Sequence, residues 1–202
     1  MKSFKLNLAT VILTFCCNLT QAQSLEQGDN LVNLAFGIGN LTRPSGFTTS
    51  IPPTIFQYEH AITNEITVGG YLGYSLAKFE DEGVNTIPIA PLYSEYQLYK
   101  WHSKHILFGA KSTYHFGELL NTSKRLDPYG GIILGYNATT SRSTLVEGTF
   151  DLNPEFDPEV SSKVMVGIYI GGRYYFNEKI AAFGELGYQA AVLQLGITYK
   201  IP

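Results

Sequence analysis

Apolar and polar residues alternate one by one through eight stretches of this chain. The last stretch is the clearest. Leu193, Leu195, Ile197, Tyr199 and Ile201 fall on one face; Gln194, Gly196, Thr198 and Lys200 fall on the other. A period of two predicts a strand whose two sides meet unlike surroundings. The same pattern predicts strands over residues 30–40, about 54–62, 66–79, 105–116 (with an earlier start left open), about 129–138, 164–176 and about 180–189. One face of each carries large apolar side chains, as in Val32, Leu34, Phe36 and Ile38, or Val166, Ile168, Ile170 and Tyr174. The opposite face carries small or polar ones, as in Asn33, Ala35, Gly37 and Gly39, or Gly167, Gly171 and Arg173.

The connections alternate in length. Short turns are expected at 63–65, at 177–179 and near 190, and a connection of about ten residues after the fourth strand. Longer loops are expected at about 41–53, 80–104 and 139–163. Eight antiparallel strands of roughly ten residues, with long loops at one end and short turns at the other, are the plan of a transmembrane β-barrel. Such a sheet must close on itself, because unpaired backbone groups cannot face lipid. A soluble barrel that carries a ligand would place the apolar face inside instead. The small and polar second face, and Tyr or Phe near strand ends, favour lipid on the outside. The expected fold is therefore all-β, an eight-stranded antiparallel transmembrane β-barrel with both termini in the periplasm.

The N-terminus supports the same address. Lys2 and Lys5 precede a mostly apolar run from Leu6 to Cys17, and Thr20-Gln21-Ala22 offers small residues where a signal peptidase cuts. Residues 1–22 are expected to be a signal peptide and residues 23–202 the barrel domain. Phe15 before Cys16, and Cys16 before Cys17, do not suit a lipoprotein signal. Both cysteines fall in the signal, so the mature chain has no disulfide and no thiolate metal site. Removing Lys2 and Lys5 from the 14 basic residues leaves 12 against 17 acidic, a net charge near −5. That balance argues against nucleic acid as a partner. Outer-membrane lipids and lipopolysaccharide are the expected surroundings.

Three segments carry a likeness to known proteins. Gly171-Gly172-Arg173-Tyr174-Tyr175-Phe176, then Phe183-Gly184-Glu185-Leu186-Gly187-Tyr188, then Leu195 through Ile201 resemble the outer-membrane β-barrel (porin-family, OmpA/OmpX-like) proteins of Bacteroidota. Asp127-Pro128-Tyr129-Gly130-Gly131 and Leu134-Gly135-Tyr136-Asn137 resemble the fifth strand of the same proteins. The resemblance covers nearly all the mature chain and implies fold and place more than activity. The last strand is also similar to the signal read by the barrel-assembly machinery, through Gln194, Gly196, Tyr199 and Ile201. It departs from that signal in having Ile201 where an aromatic is usual, followed by Pro202.

The chemistry-bearing residues are few. Glu59, Lys111, Arg173, Glu185 and Lys200 share the inward parity. An eight-stranded barrel is just wide enough inside for side chains to fill it, and charges there must pair. Arg173, Glu185 and Lys200 are expected to form one cluster near the periplasmic half, with Glu185 diagonal to both cations, and Lys111 or Glu59 joining. This cluster reads as a polar plug rather than a gate. None of His60, His102, His105 and His115 fits the His-x-Ser-Asn pattern of lipid A deacylases, and His102 and Ser103, as neighbours, point to opposite faces. No catalytic residue, cofactor or metal is expected. The aromatic stretch Tyr93 to Trp101 is read as an extension of the fourth strand rather than an adhesive surface. The acidic run Glu147, Asp151, Glu155, Asp157 and Glu159 lacks the spacing of a calcium loop and is read as a solvated loop. The expected role is non-enzymatic, structural or surface-interacting. A narrow porin-like channel is the alternative, and a lipid-modifying enzyme stands a distant third.

Overall fold

The computed structural model describes residues 25–40, 46–87, 93–120, 122, 125–147 and 162–201. Eight strands, β1 (Asn30–Asn40), β2 (Thr48–Ala61), β3 (Ile66–Ile87), β4 (Tyr93–His115), β5 (Leu126–Glu147), β6 (Lys163–Tyr175), β7 (Ile180–Gly187) and β8 (Ala191–Ile201), follow one another around a closed barrel. Every neighbouring pair is antiparallel. The ring closes where β1 pairs with β8, from Asn30 opposite Ile201 to Asn40 opposite Ala191. The expected export segment, residues 1–22, lies outside the described residues.

Alternation decides which face turns inward. Leu34, Phe36, Phe56, Leu72, Phe108, Ile132, Leu134, Ile168 and Ile197 point outward and are exposed. Asn33, Glu59, Thr67, Lys111, Arg173, Glu185 and Thr198 point inward and are buried. The outer surface is thus an apolar band, the inverse of a soluble ligand carrier. Aromatic pairs edge it at the end holding the termini: Tyr114 with Phe116 at 5.2 Å and Tyr174 with Phe176 at 5.7 Å between ring centroids. A continuous apolar surface of this extent suits hydrocarbon rather than water.

The short turns at 62–65 and 176–179 lie at the terminal end, and the short turn at 188–190 lies at the opposite end. Asn177 Oδ1 accepts hydrogen bonds from the backbone N–H of Lys179 and Ile180, and Thr63 Oγ1 accepts from Glu65 and Ile66. These side-chain caps fix the two tight reversals. The opposite, hairpin end departs from expectation. Within the loop expected at 80–104, the described residues are strand: β3 runs to Ile87 and β4 starts at Tyr93, paired continuously through Phe79–Trp101 to Ile87–Tyr93. β5 likewise runs past 138 to Glu147. β2 begins at Thr48 rather than near 54, with register shifts around Ile51 where Pro52 and Pro53 cannot donate to the ladder. Beyond the apolar band the outward residues become polar, as in Lys100, His102 and Lys104, so the hydrophobic period fades while backbone pairing continues. The Tyr93 to Trp101 stretch is therefore strand, with Trp101 turned inward against Phe47 and Ala77. Of the acidic run, only Glu147 lies among the described residues. The wall formed by β3, β4 and β5 stands well above the side where β7 ends at Gly187 and β8 begins at Ala191.

Inward glycines make room for large rings. A β-carbon on Gly131 would strike the carbonyl oxygen of Ser112 and lie 2.5 Å from the Tyr169 hydroxyl. Gly172 has nothing within 4 Å of that position. Gly131→Ala is expected to destabilise the barrel by about 1–3 kcal/mol through overpacking. Gly172→Ala should leave the urea midpoint nearly unchanged, and equal midpoints for both variants would contradict this packing.

Candidate functional site: a charged belt across the barrel interior

The middle of the barrel is crossed by a chain of ion pairs. Asp127 Oδ2 lies 3.4 Å from Arg173 Nη1, and Arg173 Nη2 lies 3.3 Å from Glu59 Oε1. Glu59 Oε1 lies 3.7 Å from Lys111 Nζ, which lies 2.6 Å from Glu185 Oε1. Glu59, Lys111, Arg173 and Glu185 have side chains at most 1% exposed. Alternation on β2, β4, β5, β6 and β7 turns these residues inward, and the narrow bore lets them meet across the lumen.

Neutral groups complete the belt. Glu59 accepts hydrogen bonds from Asn33 Nδ2 at 2.7 Å, Thr67 Oγ1 at 2.8 Å and Thr113 Oγ1 at 2.7 Å. Lys111 also donates to Gln57 Oε1 at 2.7 Å, and Gln57 donates to Gln194 Oε1 at 3.4 Å. Glu185 accepts from Tyr129 and Gln189. Lys111 sits over the Tyr169 ring at 4.6 Å and Arg173 over the Tyr129 ring at 4.9 Å. His115 Nδ1 lies 2.9 Å from both oxygens of Asp127. Every strand from β1 to β8 thus places at least one side chain in the belt. A buried charge is costly unless it is paired and hydrogen-bonded, and here each is.

This arrangement corrects the expected cluster. Glu185 pairs with Lys111, not with Arg173 or Lys200. Register places Glu185 opposite Gln194 on β8, so Lys200 lies six positions farther along that strand, about 20 Å at 3.3 Å per residue. Lys200 instead pairs with Asp29 at 3.2 Å, near the terminal mouth. Arg173 does lie diagonal to Glu185, which faces Gly171, yet its guanidinium reaches across to Glu59 and Asp127. Asp127 was missed because the fifth strand was expected to start at 129. The parity of Tyr129, two residues on, would have placed it inside.

Two arrangements in the lumen have the distances of a nucleophile and base. Ser103 Oγ lies 3.1 Å from His105 Nε2, with Thr139 and Asn137 rather than an acid at Nδ1. Thr67 Oγ1 lies 3.3 Å from His115 Nε2, whose other nitrogen faces Asp127. Catalysis needs a substrate at the nucleophile. Ser103 and His105 lie between Trp101 and Leu107 on β4, all four of them buried. Thr67, also buried, lies within hydrogen-bond distance of Glu59. Both arrangements are held within the buried hydrogen-bond network. His60 lies at the terminal end beside Asn30 Oδ1, and His102 points outward. Among the described residues, no three His, Cys, Asp or Glu side chains are grouped to hold a metal ion.

On β8, Gln194 is buried in the lumen, Gly196 lies beneath the Phe183 ring, and Tyr199 and Ile201 face outward.

No protein-family model and no curated protein matches the chain. Solved structures do. The outer membrane protein OprG from Pseudomonas aeruginosa is 10% identical, with a TM-score of 0.50 over 90% of this chain and 99% of that one. Ail, the attachment invasion locus protein of Yersinia pestis, is 13% identical, with a TM-score of 0.48 over 87% and 99%. The N-terminal β-barrel domain of Pseudomonas aeruginosa OprF is 14% identical, with a TM-score of 0.46 over 87% and 98%. The likeness to OprG shows a shared fold, the small barrel of outer-membrane proteins.

Proposed function

We propose that this chain is a non-enzymatic outer-membrane barrel of a Gram-negative cell of the Bacteroidota, with a structural or surface-interaction role. The apolar outer band and its aromatic edge support the membrane. The turns at 62–65 and 176–179 and both termini would lie in the periplasm, and the tall hairpins would rise from the cell surface. The barrel-assembly machinery would engage β8 before it is buried between β1 and β7.

One observation carries the functional reading: side chains from all eight strands meet across the lumen in a paired, buried belt. An ion could cross only by breaking those pairs. The protein in a planar bilayer is therefore expected to show no steady open state. Sustained openings of nanosiemens size would favour the narrow porin-like channel and reject the plug.

A further inference from the structure

Just beyond the apolar band, at the hairpin end, the outward face of β3, β4 and β5 carries a basic row, and farther out Lys100 faces Glu80 and Glu147 lies opposite Leu98. Lys78 pairs in register with His102, and His102 with Arg142, so the three form one row across three strands. With neighbouring strands about 4.8 Å apart, the row spans roughly 10 Å. Lys104, opposite Leu76, sits one outward position nearer the band, with its Nζ 5.7 Å from the centre of the Tyr74 ring. Lys78, His102, Lys104 and Arg142 are all exposed. Glu80, the nearest outward carboxylate in register, is engaged by Lys100 at 3.5 Å. Among the described residues no carboxylate forms a salt bridge with Lys78, Lys104 or Arg142. At the terminal end the exposed charges are of both signs, among them Glu118, Glu178 and Lys179. A row of cations without carboxylate partners among the described residues runs against the net charge of −3 of the chain.

We propose that this sector binds the phosphate groups of phosphorylated glycolipids in the outer leaflet. The inference rests on the membrane placement proposed above and adds a ligand class and a site to it. The row lies where head groups would meet the barrel wall. Directly below it the same three strands present Tyr74, Ile106, Phe108 and Tyr136, which offer acyl chains an apolar surface. A phosphorylated amphiphile matches both parts of the surface, whereas free phosphate matches the row alone. The planar fork of Arg142 suits two phosphate oxygens at once, and Lys78 and Lys104 act as flanking point charges.

The test uses the full mature chain in phosphatidylcholine nanodiscs, titrated with bis-phosphorylated lipid A. The wild type should bind, and binding should weaken as salt is raised. The triple variant Lys78→Gln/Lys104→Gln/Arg142→Gln should bind on the order of a hundredfold more weakly, the size expected for three cations removed from an anionic lipid surface. Lipid A stripped of phosphate should bind the wild type as weakly as the variant binds the intact lipid. Inorganic phosphate at equal concentration should not displace the lipid. Equal binding by wild type and variant, equal binding of stripped and intact lipid, or displacement by inorganic phosphate would each overturn the site. Insertion is read separately, by heat-modifiable gel mobility in phosphatidylcholine alone, where wild type and variant should both shift. A wild type that fails to insert there sinks the membrane reading itself, whereas insertion without phosphate-dependent binding overturns only this site.

Discussion

Glu59→Ala should lower the unfolding free energy by about 3–5 kcal/mol, the range for removing one partner of a buried ion pair. Glu59 contacts two cations, Lys111 and Arg173, and accepts hydrogen bonds from Asn33, Thr67 and Thr113. Its loss leaves Lys111 with the Glu185 carboxylate alone and Arg173 with that of Asp127 alone, and takes the acceptor from three buried donors. Glu185→Ala should cost less, because Lys111 keeps Glu59 within 3.7 Å and Gln57 within 2.7 Å. Glu59→Gln should fall below Glu59→Ala, since shape and part of the hydrogen bonding survive. The double variant Glu59→Leu/Arg173→Met should recover part of the loss, because it removes the Arg173 charge together with its partner while Asn33, Thr67 and Thr113 still lack their acceptor. Urea unfolding in phospholipid vesicles measures all four. If Glu185→Ala costs as much as Glu59→Ala, the bridging role of Glu59 is wrong.

Ile168→Arg is the second large effect. Ile168 is 70% exposed at the middle of β6, flanked outward by Val166 and Ile170. In hydrocarbon a mid-band arginine costs roughly 2–4 kcal/mol, and the cost falls to about 0–1 near the edge. Tyr174→Arg, at the aromatic edge beside Phe176, should therefore cost less than Ile168→Arg. In water both substitutions would be nearly neutral or would improve solubility. A flat profile from Ile168 to Tyr174, measured by unfolding in vesicles, would remove the membrane from the account.

Strand positions were legible wherever one face had to meet an apolar surrounding. The bounds of β1 match the alternation of Val32, Leu34, Phe36 and Ile38 at both ends. The upper parts of β3, β4 and β5 were not legible, because Lys78, His102 and Arg142 are as polar outward as Ser75 and Ser103 are inward. Strand pairing there is set by the backbone ladder, which leaves no hydrophobic period. The interior residues were legible by parity: Glu59, Lys111, Arg173, Glu185 and Lys200 all face inward and are buried. Their partners were not, for two reasons. Counting along a hairpin finds neighbours on adjacent strands, whereas a bore this narrow lets Arg173 on β6 reach Glu59 on β2. The short turn at 188–190 also sets a register that carries Lys200 far from Glu185.

The seam between β1 and β8 has a consequence for the order of events in folding. Each of the other seven pairings joins strands adjacent in sequence, so local hairpins can form as soon as their two strands exist. The seam joins Asn30 to Ile201 and Asn40 to Ala191, contacts between opposite ends of the described chain. Loop-closure entropy grows only logarithmically with length, so the thermodynamic cost of that distance is modest. Its kinetic weight is larger, because long-range pairing is slow. Until β8 arrives, β1 exposes a full row of unpaired N–H and C=O groups, as does β8 along its far edge. An unsealed sheet in that state is a template for any other edge it meets. Covering those two edges until β8 meets β1 would keep the nascent sheet from pairing with other chains.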